Sequence, residues 1–213
     1  MRFDRPRAAR NDDLRRIASG TAFGALTTML AYVFWHWPLP EIQLPEYEGR
    51  LRGFHESLHD HPPAGFLQSA SFRITGAPWT PVAEAYEDWY LIEDFAALGA
   101  LNEASIAGAR KQPHDSAARL AAGGVGGVYQ MLFGKTNPFD SRLAQWFSKP
   151  TGVTYTGLRS KVEHLEEADN SLWQRQLVLG PTPEFCLRGK GDARVDLRFS
   201  PLILPVTPVL SFE

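Results

Sequence analysis

Two aromatic runs, each closed by a proline, set the frame of this chain. LAYVFWHWP (30–38) and LAQWFSKP (143–150) are both β-favouring, and both end where proline blocks a ladder. After the first run, Pro45 stands at a first helical position. Behind it, Tyr47, Leu51, Phe54 and Leu58 recur at i, i+4, i+7 and i+11, one apolar helical stripe. HPPAG stops that helix, and GFLQSASFRITG alternates as a second strand. APWTPV is a loop, and AYEDWYLIEDF is a third strand. A helical region from Ala96 breaks at Gln112-Pro113 and resumes through HDSAARLAA. GGVGG ends it, and VYQMLF is a fourth strand. The first part therefore reads β-α-β-β-α-β.

The second aromatic run repeats part of that order. TYTGLRSKVEHLEEA is a helix with Leu158, Val162 and Leu165 on one face. SLWQRQLVLGPTPEF echoes GFLQSASFRITGAPW, each strand ending in glycine and a proline-bearing turn. EFCLRG adds a strand. The end, with Pro201, Pro205 and Pro208, reads as an edge strand or an extended arm. A full second helix is lacking. The expected organisation is a basic extension over 1–28, a ferredoxin-like unit over 29–135, and a partial second unit with a C-terminal arm over 143–213.

The N-terminal stretch carries Arg2, Arg5, Arg7, Arg10, Arg15 and Arg16 before a weakly apolar run diluted by Ser19, Gly20, Thr21, Thr27 and Thr28. Roughly 20 predominantly apolar residues are needed to span a bilayer, so the stretch reads as a flexible, dispensable extension rather than an anchor. Met29, directly before the first strand, offers an alternative start. A formal net charge of −2 gives no global field for nucleic acid or acidic lipid. The single Cys186 excludes an internal disulfide or a cysteine metal cluster and suits a reducing compartment such as the cytoplasm.

A β-α-β-β-α-β unit is the split βαβ, ferredoxin-like arrangement, α+β in class, with helices on one face of its antiparallel sheet. The other face needs a cover, from a second unit, a second chain or both. The strand ending His36-Trp37-Pro38, the element order and the acidic-aromatic YEDWYLIEDF together resemble the dimeric α/β-barrel superfamily. That group includes EthD-like proteins, antibiotic-biosynthesis monooxygenases, NIPSNAP-like proteins and chlorite-dismutase relatives. The resemblance covers 31–134 and, as a repeat, 143–188. It implies a dimeric or pseudo-dimeric α/β barrel, a homodimer, and activities ranging from cofactor-free oxygenation to none.

Alternation puts Tyr32, Phe34 and His36 on one face of the first strand, with Val33, Trp35 and Trp37 on the other. On the third strand Tyr86, Asp88, Tyr90 and Ile92 oppose Glu87, Trp89 and Leu91. A histidine beside a carboxylate can serve as a general base toward an acidic C–H or a phenol. His36 is thus the candidate base, with Asp88 and Tyr90 as partners. Tyr32, Phe34, Trp35, Trp37 and Trp89 are the candidate walls of a small-molecule cavity inside the barrel. The plainer reading leaves His36 hydrogen-bonded at a strand end, and the protein a dimerisation scaffold whose aromatics fill an interface.

Three other patterns carry less. His55 and His59 have the i, i+4 spacing of a helix-face metal pair, but they border the apolar stripe and read as a solvated helix end, so no metal is expected. His114 and His164 read as surface residues. In AAGGVGGVYQ the glycines follow a helix and precede a strand, the reverse of a phosphate loop. Haem, known in part of the resembling superfamily, is the second alternative, with His36 or His114 as ligand. The leading expectation is a cofactor-independent monooxygenase- or isomerase-like site for a small hydrophobic or aromatic molecule.

Overall fold

The computed structural model describes residues 29–134, 138–168, 170–189 and 194–212. The basic extension over 1–28 lies outside them. Among the described residues, eight strands alternate with four helices: β1 (Leu30–Pro38), α1 (Leu44–Asp60), β2 (Phe66–Thr75), β3 (Glu84–Ile92), α2 (Phe95–Ser105), α3 (Gly108–Ala118), β4 (Ala121–Gly134), β5 (Leu143–Phe147), α4 (Tyr155–Val162), β6 (Asn170–Arg175), β7 (Phe185–Gly189) and β8 (Leu202–Phe212). The strands pair antiparallel throughout and close a barrel in the order β1-β3-β2-β8-β5-β7-β6-β4. The first four strands lie in the order β4-β1-β3-β2 and the second four in the order β8-β5-β7-β6, the same arrangement twice.

One buried cluster draws side chains from all eight strands, among them Trp35, Phe72, Trp89, Tyr129, Trp146, Trp173, Cys186 and Leu204. Only the lumen is reached from every strand, so the barrel is filled with side chains, as an eight-stranded barrel requires. The opposite faces pack outward. Helices α1, α2 and α3 cover the first half, where Leu30, Tyr90 and Val128 meet Phe54, Leu58 and Leu101. Helix α4 covers the second half through Leu158 and Val162 on Phe147, Leu172 and Phe185. Where a second helix would stand in this half there is a short 3-10 turn at Leu197–Phe199, held by Asp196 accepting from the Arg198 amide.

Three expectations change. The glycine run does not end a helix: it is ladder-paired inside β4, which begins at Ala121. The helix break falls at Ile106–Ala107, not at Pro113, which lies within α3. Gly108 turns the chain there with φ +58, and Arg110 Nε donates to the Ala104 carbonyl, one of the acceptors that a helix end leaves open. Finally, β8 is neither an outer edge nor an arm. Its residues 202–205 ladder with β5, and 206–212 with β2. Pro205, paired only with β5, and Pro208, paired only with β2, each have one unpaired flank, where the missing N–H is tolerated, and Pro201 precedes the strand.

Candidate functional site

Period-2 alternation sorts the aromatic residues of β1 and β3 to opposite sides of the barrel wall. Trp35 and Trp89 point into the lumen, where both indoles donate to Glu87, at 2.7 and 2.8 Å. Trp37 packs half-buried on the same lumen cluster. Trp35 and Trp89 thus fill the packed interior rather than a ligand cavity, and Trp37 also borders a smaller pocket of about 200 Å³ with Pro38, Ile42 and Tyr86. Tyr32, Phe34, His36, Asp88 and Tyr90 face the helices instead. There they line a cavity of about 700 Å³ between the outer face of the sheet and α1, α2 and α3. The cavity lies outside the barrel wall, on the side away from the buried lumen cluster.

The floor of this cavity is polar. His36 Nδ1 lies 2.7 Å from Tyr47 Oη, and its Nε2 lies 3.1 Å from Asp88 Oδ2, out of line for a hydrogen bond. His55 meets the same carboxylate oxygen at 3.2 Å through Nε2, while its Nδ1 lies 2.7 Å from Ser69 Oγ. Tyr90 donates its phenol proton to that oxygen at 2.9 Å. All three groups converge on Oδ2, and Oδ1 has no partner among the described residues. Asp88, His36 and His55 are each at most 2 % exposed, so this orphaned oxygen sits in a low-dielectric surround where an unpaired polar atom is costly. Burial alone would raise the Asp88 carboxyl; the pull of His36 and His55 outweighs it and holds the group well below the usual carboxylate range. Burial, and then the Asp88 charge, push the phenols of Tyr90, Tyr47 and Tyr32 upward, so all three stay protonated donors.

Above the floor the cavity is apolar. Phe54 and Leu51 of α1, Leu98 and Leu101 of α2, and Val128 of β4 form its walls. Asp94 caps α2 by accepting from the Ala97 amide at 2.8 Å, which fixes the near end of that wall. Phe95 and Ile106, at the two ends of α2, line the mouth and are more than half exposed. His114, expected at the surface, is only partly exposed and lines the cavity from α3, edge-on to Phe54.

His55 is the residue that sequence reasoning missed. It is not at a solvated helix border but fully buried against Asp88. The signal is present, since His55 follows Leu51 by four and precedes Leu58 by three, on the buried stripe itself. His59 and His61 are exposed, as a solvated helix end would be.

The floor does not suit a metal. Among the described residues, no group of three or more His, Cys, Asp or Glu is arranged to hold a metal ion. Among the described residues, no helix is long and apolar enough to cross a membrane.

No family model matches this chain, and no curated protein matches it. Several solved structures are similar, among them the following three. A "putative monooxygenase" from Lactobacillus acidophilus superposes with a TM-score of 0.55 at 10 % identity, over 86 % of this chain and 95 % of that one. An anthrone oxidase-like protein gives 0.46 at 8 % identity, over 87 % and 93 % of the two chains. A "putative chlorite dismutase" gives 0.47 at 11 % identity, over 85 % and 95 %. At such identities the likeness is one of fold alone.

Proposed function

We propose that this chain binds a small hydrophobic, ring-bearing molecule between its sheet and helices, and moves a proton off it at His36 without a cofactor. The observation that carries this reading is the unpartnered Oδ1 of buried Asp88, beside His36, at the floor of an otherwise apolar cavity. Apolar walls with a few convergent polar groups are the common form of a small-molecule site. The name of the similar monooxygenase fits such chemistry, but by analogy of fold only.

The roles follow from the geometry. In the tautomer that carries the proton on Nδ1, His36 donates to Tyr47 Oη, and the buried Nε2 lone pair, which faces Asp88 Oδ2, reaches a ligand when the ring turns toward the cavity. A proton taken there from an acidic C–H or a phenol O–H leaves an imidazolium 3.1 Å from the Asp88 carboxylate, which stabilises it. His55 and Tyr90 hold that carboxylate in place. The substrate anion is left beside the imidazolium, poised to rearrange or to meet dioxygen as co-substrate.

The test uses 4-nitrophenol, whose phenolate is yellow. Wild-type protein ionises a larger fraction of the bound probe than solvent does at the same pH. His36→Gln still binds the probe but leaves it neutral. A probe that binds without changing colour, or that His36→Gln ionises as well as wild type, contradicts the proton-transfer role. Failure to bind at all favours a scaffold protein whose aromatics serve only packing. Added haem gives no shifted Soret band in this reading.

A further inference from the structure

The glycines of AAGGVGGVYQ have no role in the reading above, yet a strand interior is a poor place for four of them. Their neighbours explain them, face by face. On the lumen face, a Cβ at Gly123 would meet the Trp37 ring at 2.8 Å, and one at Gly127 the Tyr129 ring at 2.8 Å. On the helix face, a Cβ at Gly124 would overlap the Phe34 ring, and one at Gly126 would lie 2.8 Å from Tyr32. Real Cβ atoms do not approach so closely. Tyr32 and Phe34 therefore lean diagonally across β4 into space that side chains would occupy, the diagonal reach of cross-strand aromatics. Their rings lie nearly parallel, 6.1 Å apart with 22° between planes, and Phe34 continues to His36 at 5.3 Å and 21°. All three rings line the cavity.

We infer that Gly124 and Gly126 are the residues that set the width of the cavity, and that the space they free admits a ligand broader than a single ring. With any side chain at these positions, Tyr32 and Phe34 would have to rise off β4 into the cavity. The inference rests on the reading of this cavity as a ligand site. It adds which residues choose the ligand's size.

Two measurements test it together. The first is the crystal structure of Gly126→Ala, which needs no ligand. The Tyr32 ring should be displaced into the cavity; an unmoved ring with β4 shifted away overturns the inference. The second is binding of phenol, 2-naphthol and 1-pyrenol, a series of growing width. Gly126→Ala should weaken 1-pyrenol by about tenfold or more while leaving phenol within about twofold. Gly123→Ala, on the lumen face of the same strand, should leave the ratio unchanged. Adding Tyr32→Leu to Gly126→Ala should readmit 1-pyrenol, since no ring remains to be displaced. Equal loss across the three probes, or no rescue, overturns the inference. If wild type binds none of them, the functional reading fails, and the Tyr32 position in the crystal still decides the width.

Discussion

At the scale of single residues, one oxygen of the Asp88 carboxylate has three partners and the other has none among the described residues. Asp88 binds its proton more weakly folded than unfolded, where an aspartate titrates near about 3.9. Below that pH the unfolded chain takes up the proton first, so the contribution of Asp88 is present above about pH 4 and is lost as pH falls toward its depressed folded value. The stability advantage of wild type over Asp88→Asn should therefore shrink as pH drops below about 4, as read by urea midpoints across a pH series. An advantage that stays constant with pH would remove the charge argument. Strand alternation alone is enough to put His36, Asp88 and Tyr90 on matching faces. It is silent on which face meets the helices, because both faces of β1 and β3 are aromatic. Trp35 and Trp89 therefore read as site residues although they fill the lumen. His55 escapes notice for a different reason: a polar member of an apolar stripe reads as its border.

At the scale of elements, the strands and α1 are legible in the sequence, and the segments with glycine or proline are not. A glycine run reads as a break unless the aromatic rings leaning over it are known, and those belong to another strand. Three prolines read as an edge until the barrel shows that β8 changes partner along its length. The α2–α3 junction likewise depends on a tertiary contact. Arg110 reaches both the Ala104 carbonyl of α2, at 2.8 Å, and the His61 carbonyl beyond α1, at 2.5 Å. Only Ala97 and Leu101 of α2 are buried, so this wall of the cavity is lightly held. Arg110→Ala should cost about 1 kcal/mol of stability and speed the release of bound 4-nitrophenol in stopped-flow. An unchanged release rate would mean that α2 does not gate the cavity.

At the scale of the molecule, the expected second cover for the sheet comes from the same chain. Strands β5 to β8 complete the barrel that β1 to β4 begin. The repeat is visible in the order of the segments, but closure is not, since no local signal records which strands meet across a lumen. The halves are joined inside by Arg188 of β7, which donates to Glu87 of β3 at 2.5 Å with both side chains fully buried. The guanidinium also lies 4.1 Å from the Phe72 ring centre and donates from Nε to Ser141. Removing one charge of such a pair costs about 3–5 kcal/mol, whereas removing both can be nearly neutral. Glu87→Gln should be strongly destabilised, and Glu87→Gln with Arg188→Met should regain most of the loss in chemical denaturation. A double variant no better than the single one would show that shape, not charge, holds the lumen together.

Above all, the proposed function requires ligands to bind outside the barrel wall, over Asp88 and His36, and not in the lumen. Crystals soaked in 4-bromophenol test this most directly, because the anomalous signal of bromine marks its position. Bromine is expected between Phe54 and Leu101, with the phenol oxygen within hydrogen-bond reach of Asp88 or His36. Bromine among Trp35, Trp89 and Trp146, or an empty cavity beside a probe bound elsewhere, would contradict it.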